Sequence, residues 1–248
     1  EVLGRGFGCV PLGLADSRGT WGALRSQTAS AMRRVIGRYK DFALIGTPSG
    51  LLNAIAQWLP LPLIAAQFGA VSAGHFALGL RVLQAPAVLV GMSIADAFHA
   101  RLAILARERP AQLTRFFLQA SMLLVTLGLL PAAVVIVLGD SGFTWIFGAK
   151  WSGAGVLAIA LLPWATAQLV VSPLSRAVYV LGGQRAKLVY DVSAVCLVLL
   201  CALAAKRNDL SVRQAVLLLS LGQVVAYAIY YLVLWRIVQR ATGLQPRA

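Results

Sequence analysis

The 248-residue chain is 59% hydrophobic and only 12% charged, with a mean hydropathy of +0.80. That composition excludes a soluble globular domain and points to an integral membrane protein. Its 22 Lys and Arg against 8 Asp and Glu lie between apolar runs and not along one amphipathic element, so the basic excess is topogenic and no nucleic-acid partner is expected.

In chain order, the first apolar run, Val2 to Ala15, is short and Gly-interrupted, with no initiator Met before it and no signal-peptide pattern. Residues 1–15 read as the remnant of a preceding transmembrane helix, and the chain as a fragment whose N-terminal part carries further spans. Residues 16–41 hold Arg18, Arg25, Arg33, Arg34, Arg38 and Lys40 against Asp16 and Asp41, and read as a basic cytoplasmic linker. Residues 42–240 are predicted to form a six-helix lobe, and 241–248 a cytoplasmic tail.

A bilayer core of ~30 Å takes roughly 20 apolar residues per helical crossing. On that measure six spans are predicted, at about 43–68, 74–100, 116–139, 154–181, 187–205 and 212–235. All are expected to be helices, because an open sheet would leave backbone groups unpaired in lipid. The predicted fold class is an all-α polytopic membrane helical bundle. Arg101, Arg107, Arg109, Arg115, Arg185, Lys187, Arg236, Arg240 and Arg247 fall on the linker's side, and only Lys150, Lys206, Arg207 and Arg213 on the other. The positive-inside rule therefore places linker and C-terminus in the cytoplasm, with the Lys206–Arg213 loop fitting least well. The segment DSGFTWIFGAKWSGAG, residues 140–155, reads as an interfacial loop or half-helix with Trp145 and Trp151 at headgroup level. Of Cys9, Cys196 and Cys201, the last two lie in an apolar span and act as small hydrophobes, so no disulfide or metal site is expected.

Helical spacing sorts the polar residues of these spans into stripes. In the first span Ser49, Asn53, Gln57, Pro60 and Gln67 share a face, and in the second Arg81, Gln84, Val88, Met92, Asp96 and His99 fall in a narrow arc. The fourth stacks Trp164, Gln168, Ser172, Ser175 and Tyr179 with Arg176 to one side, and the sixth offers Ser220, Gln223, Tyr227, Tyr230 and Tyr231. The third and fifth are almost wholly Leu, Val, Ala and Ile after their first turns and look lipid-facing. An amide facing lipid would lose hydrogen bonds worth ~2–7 kcal/mol, so the stripes must look inward. Two roles fit Asn53 and Gln57 equally, interhelical glue and cavity wall.

Arg81 and Arg176 are costly inside a bilayer, at ~2.5–3.5 kcal/mol or more each, and mark function unless they snorkel to the headgroups. Asp96 and His99, three residues apart, could form a protonatable pair for proton coupling. Asp191 is expected to pair with Lys187 one turn earlier in a structural role. No phosphate loop, GxSxG, HExxH or other enzyme motif is present, and catalysis is not expected.

The stretches RYKDFALIGTPSGLLNAIAQWLPLPLIAAQFG, AGHFALGLRVLQAPAVLVG, WIFGAKWSGAG and LLPWATAQLVVSPLSRAVYVLGGQR resemble, in order, the C-terminal half of bacterial polysaccharide-biosynthesis transporters. These are the O-antigen or exopolysaccharide repeat-unit flippases of the multidrug/oligosaccharidyl-lipid/polysaccharide exporter superfamily. The resemblance implies one lobe of a two-lobe inner-membrane transporter, with the N-terminal lobe as a missing partner. It implies a polyprenyl-diphosphate-linked oligosaccharide as substrate, no cofactor, and other polysaccharide-assembly proteins as further partners. It implies a central cavity between the lobes, lined by the first two spans of each, so that Arg81 would meet the diphosphate while Asn53, Gln57 and Gln84 pair sugar hydroxyls, with Arg176 a further candidate. Alternatives are a multidrug or lipid II exporter of the same superfamily, or a membrane glycosyltransferase or polymerase acting on lipid-linked sugars.

Overall fold

Proline and glycine punctuate the helices of this chain, and the computed structural model shows where each takes effect. It describes residues 42–243, with side chains except at 42, 43 and 86–90. The predicted helix remnant, residues 1–15, the predicted linker, 16–41, and the last five residues of the predicted tail lie outside the described residues.

A short π-helical turn, Phe42–Gly46, leads into α1, Thr47–Trp58, and then α2, Pro60–Glu108. Pro48 and Pro60 stand in the first turns of these helices, where a missing N–H would have no intrahelical partner anyway. Leu59 between them keeps helical angles (φ −59°, ψ −35°), so α1 and residues 60–68 make one continuous span. Inside α2, Gly69 alone leaves the helical region, at φ 83° and ψ 169°, a conformation that an L side chain rarely adopts. A 3-10 turn, Pro110–Gln112, opens α3, Leu113–Phe147, and a second, Ala149–Trp151, precedes α4, Ala154–Leu174. Then follow α5, Ala177–Leu181, α6, Gln184–Arg207, and α7, Val212–Gly243. Among the described residues there is no strand.

The direction of each helix follows from which residues meet. Residues 70–108 run parallel to α4, since a Cβ at Gly79 would touch the Ala158 backbone, one at Gly91 would touch Leu169, and Asp96 pairs with Arg176. α4 is in turn parallel to α7, through Trp164 N–H donating to Ser220 Oγ at 3.0 Å and the shared lining of a groove by Val171 and Tyr227. α3 is antiparallel to α7, through Thr114 with Thr242 at 2.8 Å and Tyr231 donating to Ser121 at 3.1 Å. α6 is also antiparallel to α7: Tyr190 stacks on Tyr230 and Gly222 sits against Leu197 and Cys201. The span 45–68 runs parallel to α6, from Ser49 with Asp191 to Gln67 donating to the Ala202 carbonyl at 3.1 Å.

These directions require the chain to reverse at Gly69. Five continuous stretches are long and apolar enough to cross a membrane, the first of them Leu44–Ala85 through Gly69. With the reversal, all six predicted spans are helical, and the protein is a multi-pass membrane helical bundle. The second span is longer than predicted, 70–108, and keeps its helix through Pro86.

α4 lies at the centre and is the most buried of the spans. Leu161, Trp164 and Leu174 pack there against Phe76 and Leu102, Phe117 and Leu124 of α3, and Val216 and Leu234 of α7. In lipid such packing is driven by dispersion and close backbone approach more than by water exclusion. The opposite face of α3 is open, with Val137 84% exposed, as the lipid-facing reading of the third span expects.

Candidate functional site

The site is built on the inward stripe of α1. Ser49, Asn53 and Gln57 stand four residues apart on one face, and that face meets α6. Ser49 is 2% exposed and Asp191 0%. The Asp191 carboxylate accepts from the Ser49 hydroxyl and from Asn53 Nδ2 at 3.3 Å. It also accepts from Lys187 Nζ at 2.7 and 3.1 Å, one contact to each oxygen. These contacts use most of a carboxylate's acceptor capacity. Asn53 Oδ1 accepts from Gln57 Nε2 at 2.8 Å, and Gln57 Oε1 accepts a longer bond from Gln168 Nε2 at 3.5 Å. A polar chain thus crosses the bundle from α6 through α1 to α4.

At its α4 end the chain reaches a cavity of about 260 Å³. Gln57, Gln84, Gln168, Ser172 and Arg176 supply its polar wall, and Met92 and Leu169 part of its apolar one. Arg176 follows α4 where Pro173 and the turn at Ser175 separate that helix from α5. Its guanidinium lies 3.6 Å from Asp96, with both side chains well exposed, so the pair is weak and leaves the cation open to other acceptors.

The structure therefore brings together Asn53, Gln57, Gln84 and Arg176 of the predicted set, and adds Gln168 and Ser172. It does not bring Arg81 to this wall. Arg81 is exposed on the same leg, three residues before Gln84, with no hydrogen-bond or ion partner among the described residues. Asp96 and His99 do not meet as a pair among the described residues: the opposite charge of Arg176 draws Asp96 to it, while His99 lines a separate cavity. Ser175 donates to the Ser172 carbonyl at 2.6 Å and so serves the helix end. The stripe of α7 is glue, with Ser220 and Gln223 buried against neighbouring helices.

Past its first turns α6 leaves Leu199, Leu200 and Leu203 exposed, as the lipid-facing reading of the fifth span expects, while its first turns place Asp191 at the heart of the polar chain. The Lys187–Asp191 pair was readable from its spacing. The donors Ser49 and Asn53 were not, though a buried carboxylate with a single lysine has acceptor capacity to spare, and that is the signal that could have found them.

No protein-family model, curated protein or solved structure matches this chain.

Proposed function

We propose that the chain forms part of a flippase that moves polyprenyl-diphosphate-linked oligosaccharides across the bacterial cytoplasmic membrane. The observation that carries this reading is the cavity in which three glutamines, a serine and an arginine converge between apolar membrane-spanning helices. Amides and hydroxyls suit sugar hydroxyls, and a guanidinium suits a diphosphate through charge-assisted hydrogen bonds. The resemblance of the sequence to repeat-unit flippases supplies the substrate class and the expectation of a second lobe.

The two cations take successive roles in this proposal. Asp96, the partner of Arg176, lies 15 positions after Arg81 in one helix, or roughly 22 Å along its axis. An exposed arginine at membrane depth is costly in lipid, so the open face that carries Arg81 looks onto water and extends the path beyond the cavity. A diphosphate entering from the basic end meets Arg176 first and Arg81 later. The same basic end, with Arg101, Arg107, Arg109, Arg115 and Arg185, is the cytoplasmic one in this reading.

The test is flipping of a fluorescent polyprenyl-diphosphate sugar in proteoliposomes. Arg176→Ala is expected to lower flux at least ~10-fold, the loss of one charge-assisted contact of ~1.5–3 kcal/mol, with normal membrane insertion. Undiminished flux in that variant overturns the diphosphate role, and equal transport of a lipid without the diphosphate overturns the substrate class.

A further inference from the structure

A second cavity, of about 770 Å³, opens where the ends of four helices meet: the last three turns of α2, the first of α3, the end of α5 with the turn after it, and the end of α7. Its volume falls within the ~300–1,000 Å³ of small-molecule sites. Arg107 and His99 give it two nitrogen-bearing side chains two turns apart on one helix, and Leu113, Val180 and Leu181 give it apolar walls. No carboxylate lines it among the described residues; the nearest acid by sequence to His99, Asp96, is turned to Arg176.

The histidine carries the argument further. Its Nδ1 is buried without a hydrogen-bond partner among the described residues. A proton there would be an orphaned donor, the rarer and costlier kind of unpaired polar group, which favours the tautomer carrying its proton on Nε2 in this cavity-lining ring. Tyr179 also lines the space, while Arg107 and His99 bring to it donors that meet no acceptor among the described residues. Arginine in addition matches the oxygen spacing of phosphate.

We propose that this cavity binds a phosphate group carried by an acidic membrane lipid. Arg107, in the last turn of its helix, holds the phosphate at the headgroup level, His99 Nε2–H donates to an oxygen deeper in, and the walls of Leu113, Val180 and Leu181 receive the start of the acyl chains. Basic pockets between membrane helices take anionic headgroups in this way. The site is separate from the amide-walled cavity and does not rest on the transport reading.

The test uses the full 248-residue chain purified in neutral detergent, with phosphatidylglycerol, phosphatidylcholine and inorganic phosphate as separate probes. Native mass spectrometry and thermal midpoints are the readouts. Phosphatidylglycerol is expected to bind and raise the midpoint while phosphatidylcholine does neither. Arg107→Gln and His99→Leu are each expected to weaken phosphatidylglycerol binding roughly five-fold, about 1 kcal/mol for a cation–headgroup contact at Arg107 and about the same for a hydrogen bond lost at His99. Arg207→Gln, at the opposite end of the bundle, is expected to leave it unchanged. Equal binding of phosphatidylglycerol to the wild type and to the Arg107 and His99 variants overturns the site, as does an equal response to phosphatidylcholine. A response to inorganic phosphate alone, lost in Arg107→Gln, keeps the anion site and rejects its lipid origin.

Discussion

A carboxylate shut off from solvent has to find its partners inside the protein, and Asp191 finds them on two helices. Lys187 is on its own helix, so the i, i+4 spacing made that half of the arrangement legible in the sequence. Ser49 and Asn53 come from α1, more than 130 positions away, and no sequence pattern fixes the register of α1 against α6. Removing one member of such a buried pair leaves the other uncompensated, at a cost of ~3–5 kcal/mol. Asp191→Asn, which strands the 12%-exposed Lys187 ammonium, and Lys187→Met, which strands the carboxylate, are each expected to lower the thermal midpoint in detergent markedly. The double variant is expected to recover part of the loss, because no buried charge is then left alone. Additive losses in that cycle would show that the pair does not act as a unit.

Between residue and bundle lies the corner that joins α3 to α4. The sequence showed an aromatic, Gly-rich segment and predicted an interfacial loop or half-helix; residues 140–147 are helical after the break at Gly139, and Trp145 is 86% exposed. Hidden in it was a joint. Gly139 breaks α3 at φ 52°, and the Asp140 carboxylate turns to accept the Gly153 and Gly155 N–H groups at 2.6 and 3.2 Å. Those amides open α4, where an anionic acceptor is favoured by the helix dipole and by otherwise unpaired donors. A Cβ at Gly155 would lie 2.5 Å from Asp140 Cα and 2.6 Å from the Gly139 oxygen, both backbone atoms that cannot swing aside. Periodicity finds spans, but it cannot find a contact that depends on the absence of a side chain. Asp140→Ala is expected to cost ~1 kcal/mol as a lost cap, and Asp140→Asn less, since an amide oxygen can still accept. Gly155→Ala is expected to cost more than either and to cut the yield of monodisperse protein in size-exclusion chromatography. A Gly155→Ala protein as stable as the parent would mean that the corner is looser than its distances imply.

For the whole molecule, the six spans were legible because lipid leaves the backbone no alternative to the helix and apolar length can be counted. The inward direction of the stripes in the first and second spans was legible in part, since Asn53, Gln57 and Gln84 do face protein or cavity. Arg81, exposed three residues before Gln84, lies outside the cavity that Gln84 lines, because an arc drawn on an ideal helix cannot say which half of it a neighbour covers. What separates a wet passage from glued helices is access to water, and that is open to direct measurement. In a background with Cys9, Cys196 and Cys201 replaced, a hydrophilic maleimide is expected to label cysteines at Gln84 and Ser172, which line the cavity. It is expected to spare one at Val137, whose exposed face looks onto lipid. Applied from the outside of intact cells to fully inserted protein, an impermeant reagent should reach a cysteine at Lys150 and not one at Arg185, given the charge asymmetry of the two ends. Labelling at Gln84 and Ser172 should fall when a diphosphate-linked sugar lipid is present, because the same amides and guanidinium would then be covered. If both cavity positions stay as inert as Val137 in every condition, the amides are holding helices together and the passage is closed.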